Sequence, residues 1–133
     1  MKPLAFLDTG ALYALADSDD ADPAAVSAAY RDPERRFLTH ELILVETCSL
    51  VIKRLRKGLA LQLIAATRNS PRVECAPLTP SLLDVGWQRC RKFADKDWDW
   101  IDCVSFEVME RRNVRDALAL DHHFSQAGFT LIE

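Results

Sequence analysis

The stretch "AFLDTGALYAL", residues 5–15, starts as a buried strand and finishes as a helix, and a carboxylate, Asp8, stands where one becomes the other. An ionised group at the lip of an apolar core has to be held by something. One answer is capping: the side chain of Asp8 or Thr9 can accept hydrogen bonds from the free amides that open the helix. The other is chemistry, and the choice depends on whether other acids are placed in the same way.

Working outward, the same alternation recurs. Short apolar runs at 4–7, 36–39, 73–76, 117–120 and 129–132 have the length and bounding residues of strands. Between them, segments of helical period cover residues 10–17, 23–31, 41–57, 59–68, 80–95 and 101–112, with a short helical turn after Asp121. Thr79 and Pro80 open a helix with a cap and a first-turn proline, and Gly58, after the basic "KRLRK", reads as a C-terminal stop. The pattern predicts a single α/β domain over residues 1–133, a parallel sheet covered by helices on both faces. Ligands of such sheets bind beyond the carboxyl ends of the strands, which is where Asp8 is expected.

Composition narrows the classes. A chain of 133 residues that is 49% hydrophobic can bury a real core, and its net charge of -3 excludes a uniformly basic nucleic-acid binder while leaving room for basic patches. Cys48, Cys75, Cys90 and Cys103 form no C-x-x-C pair, which points away from a zinc knuckle or a disulfide framework and towards a reducing cytoplasm. The N-terminus has no signal-peptide stretch, and no segment approaches the ~20 apolar residues that span a bilayer. The expectation is a soluble, intracellular protein.

Three further acids share the ambiguity of Asp8. Glu46, in "ELILVETCSLVIKRL", has Leu42, Ile43, Ser49 and Leu50 as its helical neighbours, so it sits on or beside the apolar stripe, or at a solvated boundary. Asp102 opens an apolar helix, with Asp99 at capping-box spacing. Asp121 follows the strand-like "ALAL" and offers an N-cap to the next turn. One shared site accounts for all four more simply than four separate coincidences. Carboxylates so gathered repel one another and raise some of their pKa values. A divalent cation, Mg2+ or Mn2+, removes that conflict and suits phosphodiester chemistry.

In the order "FLDTGALYAL", "ELILVET", "DWIDCVSFEVM", "ALALDHHFSQAGF", the chain resembles the PIN domain along essentially its whole length, and in particular the VapC-type ribonuclease toxins of toxin-antitoxin pairs. The resemblance implies a five-stranded parallel sheet between helical layers. It also implies Asp8, Glu46, Asp102 and Asp121 as metal-binding catalytic acids, Thr9 as an auxiliary contact, and hydrolysis of single-stranded RNA to a 5′ phosphate and a 3′ hydroxyl. Three positions depart from the family's pattern. Ile101 and Ala119 stand where a threonine is common, and His123 stands where many relatives carry another acid. These changes bear on metal affinity and rate rather than on the class of reaction.

Phosphate must reach this acidic pocket past basic residues at its rim, and Lys53, Arg54, Arg56, Lys57, Arg111, Arg112 and Arg115 are candidates beside their ordinary reading as solvated helix ends. Three other readings are kept. His40, His122 and His123 could run metal-free acid–base cleavage through the 2′ hydroxyl. The chain could be a non-catalytic PIN-like interaction module. A phospho-acceptor receiver domain fits less well, since Asp8 leads into Thr9 and Gly10 rather than paired acids. Trp98 and Trp100 either pack on the sheet or stack on bases.

The segment "GLALQLIAATR", residues 58–68, is apolar on nearly every side. Either it is deeply packed, or with Leu50, Val51 and Leu55 it makes a groove for another chain. The family likeness implies a homodimer and a small antitoxin in that groove.

Overall fold

The structure is a computed structural model that describes residues 1–17 and 23–132. Five strands, β1 (Ala5–Leu7), β2 (Phe37–His40), β3 (Val73–Ala76), β4 (Asp116–Leu118) and β5 (Thr130–Leu131), form one sheet in the order β3-β2-β1-β4-β5. Every pairing is parallel, with Ala5 opposite both Phe37 and Asp116. The three central strands are short and mostly apolar, and β1 and β2 are buried throughout. A parallel strand with helices on both faces has no solvent side, so it reads as a continuous apolar run.

Seven helices are described: α1 (Thr9–Ala16), α2 (Pro23–Arg31), α3 (Glu41–Arg54), α4 (Lys57–Asn69), α5 (Pro80–Lys92), α6 (Trp100–Arg111) and α7 (His123–Gln126). The chain steps from β1 to β2 to β3 in one direction, then crosses back past β1 to β4 and β5. Right-handed crossovers therefore put α1–α4 on one face and α5–α7 on the other. Ring contacts agree: Phe37 packs on Tyr30 of α2, whereas Phe6 and Phe106 of α6 both meet Phe124 of α7. The result is a three-layer α/β fold.

Thr79 caps α5 as expected, its hydroxyl accepting from the Leu82 N–H at 3.1 Å. Gly58 is not the stop expected of it. α3 ends at Arg54, Leu55 and Arg56 reverse the chain, and Gly58 lies inside α4. The reversal is set by tertiary packing, since Val51 of α3 and Ala60 of α4 are both fully buried. β4 ends at Leu118, so Asp121 stands three residues past the strand rather than directly after it. No described helix is long and apolar enough to cross a membrane.

Candidate active site

In the order β3-β2-β1-β4-β5 the connections depart in opposite directions from β1 and β4, which leaves a crevice beyond the carboxyl ends of those two strands. Asp8 is the first residue past β1. Its backbone N–H donates to Leu118 O at the end of β4 (3.1 Å), tying the two strand ends together, and its carbonyl accepts from Leu12 N–H (3.2 Å) to start α1. Asp8 holds the N-cap position, but its side chain makes no capping bond. A standard cap, to the second or third amide of α1, therefore does not account for this carboxylate.

Asp8 is only 6% exposed. Burial lifts its pKa from the ordinary carboxylate value to about 8; a hydrogen bond from the Thr9 N–H works against this, and the charges of Asp121, Asp102 and Glu46 add to it. The sequence leads one to expect repulsion as the main cause, whereas burial is larger. Repulsion still matters, because all three other acids act on Asp8 and so lie within electrostatic range of it.

The neighbours are held individually. Thr9, itself buried, donates its hydroxyl to Glu46 Oε1 at 2.6 Å, so α1 and α3 meet through these two side chains. Asp102 lies in the third position of α6 and forms a reciprocal capping box with Asp99: Asp99 Oδ1 accepts from Asp102 N–H (2.8 Å), and Asp102 Oδ2 accepts from Asp99 N–H (3.1 Å). Asp102 is thus a cap and a member of the cluster at once. Burial raises its pKa to about 6, with the charge of Asp99 adding to that, while the bond from Asp99 and the proximity of His123 pull it down. Asp121 is exposed and accepts from His123 N–H at 3.0 Å.

His123 is a further neighbour, at the position where the resemblance leads one to expect another acid. Its Nδ1 lies 3.1 Å from Asp102 Oδ2 and 3.6 Å from Asp121 Oδ2, without the alignment of a hydrogen bond. Its spacing of two from Asp121 was the available signal. His40, the last residue of β2, lies beside the end of β1 with its ring 5.7 Å from that of Phe6. It is fully buried, contacts Ser105 Oγ through Nε2 (2.8 Å), and burial lowers its pKa to about 4.

The basic candidates divide. Arg112 is engaged in a forked pair with Glu74 on β3 (2.5 and 2.9 Å), and Arg115 directly precedes β4, at the end of the sheet opposite the acids. Arg54 lies over the ring of Tyr13 on α1, 5.7 Å from its centroid. Trp98 is 7% exposed and packs between Phe93 and Phe106, whereas Trp100 is exposed. All four cysteines are free.

Among the described residues, no three His, Cys, Asp or Glu side chains are drawn up as a ready-made ligand set. The donors nonetheless fit a hard divalent ion: four carboxylates, one of them buried and held neutral only by an unfavourable environment. Asp102 and Asp121 each keep one oxygen outside the local bond described above.

Comparison with known proteins agrees with this architecture. The chain is 28% identical over 124 residues to the 23S rRNA-specific endonuclease VapC20 of Mycobacterium tuberculosis, in two strains, a match that covers 93% of this chain and 94% of the relative. The crystal structure of M. tuberculosis VapC20, a sarcin-ricin loop cleaving toxin, superposes with a TM-score of 0.87 over 95% of this chain and 96% of that one, at 28% identity. Residues 5–130 match the PIN domain, and with the strand order and the switch-point crevice described above, the chain belongs to the PIN domain family.

Proposed function

We propose that the protein is the endoribonuclease toxin of a toxin-antitoxin pair, acting in the cytoplasm on single-stranded RNA with Mg2+ or Mn2+. The observation that carries this reading is the buried Asp8 carboxylate at the switch point, with Glu46, Asp102 and Asp121 acting on it. Kinship with VapC20, which acts on 23S rRNA, makes an unpaired ribosomal RNA loop the natural class of substrate. When bound, the ion supplies charge neutralisation at the phosphate and lowers the pKa of a water.

The chain's own residues do the rest. Asp8 is fixed by its backbone bond across to β4, and Glu46 is oriented by the Thr9 hydroxyl. The capping box fixes the backbone at Asp102. These three would hold the main ion and Asp121 would complete the cluster. In hydrolysis the water oxygen bonds to phosphorus, the P–O3′ bond breaks, and the 3′ oxygen takes up a proton, leaving a 5′ phosphate and a 3′ hydroxyl.

A homodimer and an antitoxin belong to the same reading. Val45, Ile52 and Leu61 present 60%, 40% and 54% of their surface on α3 and α4, an unusual exposure for large apolar residues. Val51, expected in this groove, is fully buried and supports the hairpin instead.

The non-catalytic reading keeps one observation in its favour, the loss of hydroxyls at Ile101 and Ala119. One assay separates the possibilities. An RNA hairpin carrying the sarcin-ricin loop and an unstructured RNA are incubated with the protein, with Mn2+ or with chelator, and the product ends are mapped. Metal-dependent cleavage to a 5′ phosphate, absent in Asp8→Asn, is expected. Cyclic phosphate ends in chelator would indicate histidine chemistry, and no cleavage under any condition would indicate an interaction module.

A further inference from the structure

Large aromatic side chains left in solvent call for an explanation when a neighbour of the same type is buried. In "WDW", Trp98 is buried and its Nε1 donates to Gln126 Oε1 at 3.2 Å, whereas Trp100 is 47% exposed and stands beside Trp87 of α5, itself 43% exposed. The two exposed rings have centroids 5.2 Å apart and planes at 57°. Trp100 Nε1 donates to Leu83 O at 2.9 Å, which uses its one polar atom and fixes the ring plane while the faces stay free. Pro80, Leu83 and Asp84 complete a cleft of about 540 Å³, within the range of ligand sites.

The cleft is built into the helix pair. Gly86 lets α5 close on α6, since a Cβ there would stand 2.6 Å from Val104 Cγ2, and this approach brings Trp87 to Trp100. Trp100 lies between Asp99 and Asp102, the two members of the capping box, so the cleft opens two residues before Asp102 in the first turn of α6.

We propose that Trp87, Trp100, Pro80, Leu83 and Asp84 form a base-binding cleft that takes one unstacked base of the RNA beside the scissile bond; this rests on the ribonuclease reading and names a specificity contact of the same site. Indole faces stack on any base, and the exposed Asp84 carboxylate accepts from a base edge rich in N–H donors, which favours guanine. Arg91, exposed one turn beyond Trp87, suits the adjoining phosphate. A protein partner fits less well. The exposed apolar wall comprises four side chains edged by charge, against the roughly 20–30 residues a side of a stable interface.

The test compares wild type with Trp87→Leu, Trp100→Leu and Trp100→Phe in cleavage of a single-stranded RNA. A second arm titrates the Asp8→Asn protein with that RNA and with an abasic oligomer of equal length, following indole fluorescence. Loss of one stacked base should raise KM about ten- to a hundredfold in the leucine variants with kcat little changed, and Trp100→Phe should restore most of it. Base-containing RNA should quench the fluorescence, the abasic oligomer should not, and adding Trp100→Leu should remove the quenching. Leucine variants with wild-type KM overturn the cleft while leaving the nuclease reading intact. Equal quenching by both oligomers, or none, also overturns it, as does a fall in solution mass of the leucine variants at unchanged KM, which would assign the rings to a protein interface. If wild type cuts no RNA yet base-specific quenching is seen, the cleft stands and the nuclease reading falls.

Discussion

At the scale of single residues, Asp8 concentrates the electrostatics of the molecule. Its pKa, raised to about 8 chiefly by burial, means that the native state holds a proton the unfolded chain has released. Stability of the metal-free protein therefore falls as pH rises from the unfolded value near 4 to the folded value near 8, by roughly 1.4 kcal/mol per unit inside that window. Asp102, raised to about 6, adds to the trend over its lower part. With chelator present, the protein should melt higher at pH ~5.5 than at pH ~7.5. Asp8→Asn should melt higher than wild type at the upper pH and lose most of the dependence, because it deletes a buried charge and no capping bond. Equal pH profiles for the two proteins would show that Asp8 is not a raised acid. Sequence placed the carboxylate correctly but not the cause of its shift, because the depth of burial depends on how β4 and α3 close over it. Asp102 was legible as a cap from its spacing to Asp99, and the reciprocal capping box is present.

At the scale of elements, the close approach of α5 and α6 depends on one missing Cβ. Gly86→Ala must displace Val104, whose Cα and N would also lie 3.1 Å from the new atom, and overpacking of this kind destabilises by roughly 1–3 kcal/mol. A lower urea midpoint with unchanged slope is the expected reading; an unchanged midpoint would mean that the helices separate freely. Thr79→Ala should remove about 1 kcal/mol through the lost cap of α5, in the same measurement. The cap was legible because Thr-Pro is a local signal, and the central strands were legible because buried parallel strands are simple apolar runs. The end of α3 was not, since the reversal at Leu55 answers to the burial of Val51 and Ala60, contacts made between helices. Trp87 went unnoticed for a similar reason: its partner Trp100 is distant in sequence, and nothing local marks that both rings stay outside. Arg115 was misplaced as a rim residue, although in a parallel sheet the residue before β4 already belongs to the end opposite the acids.

At the scale of the whole molecule, Asp8 stands at the carboxyl edge of the sheet, while the α3–α4 hairpin exposes the apolar side chains of Val45, Ile52 and Leu61. Leu61→Lys combined with Ile64→Lys should abolish dimerisation or capture of the antitoxin encoded by the neighbouring gene; unchanged mass by light scattering together with unchanged capture would remove the hairpin as an interface. Leu61 is the cleaner probe, since Ile64 also packs on the core, and its single substitution should leave the melting point near that of wild type. The central claim, that Asp8, Glu46, Asp102 and Asp121 form a divalent-metal site, is tested most directly by thermal melts of wild type and Asp8→Asn at pH ~7.5, with Mn2+ and with chelator. Mn2+ should raise the melting point of wild type in proportion to the logarithm of its concentration above saturation, and more at pH ~7.5 than at pH ~5.5, where protons compete. It should leave Asp8→Asn unmoved. A shift of equal size in both proteins, or in neither, would contradict the metal site.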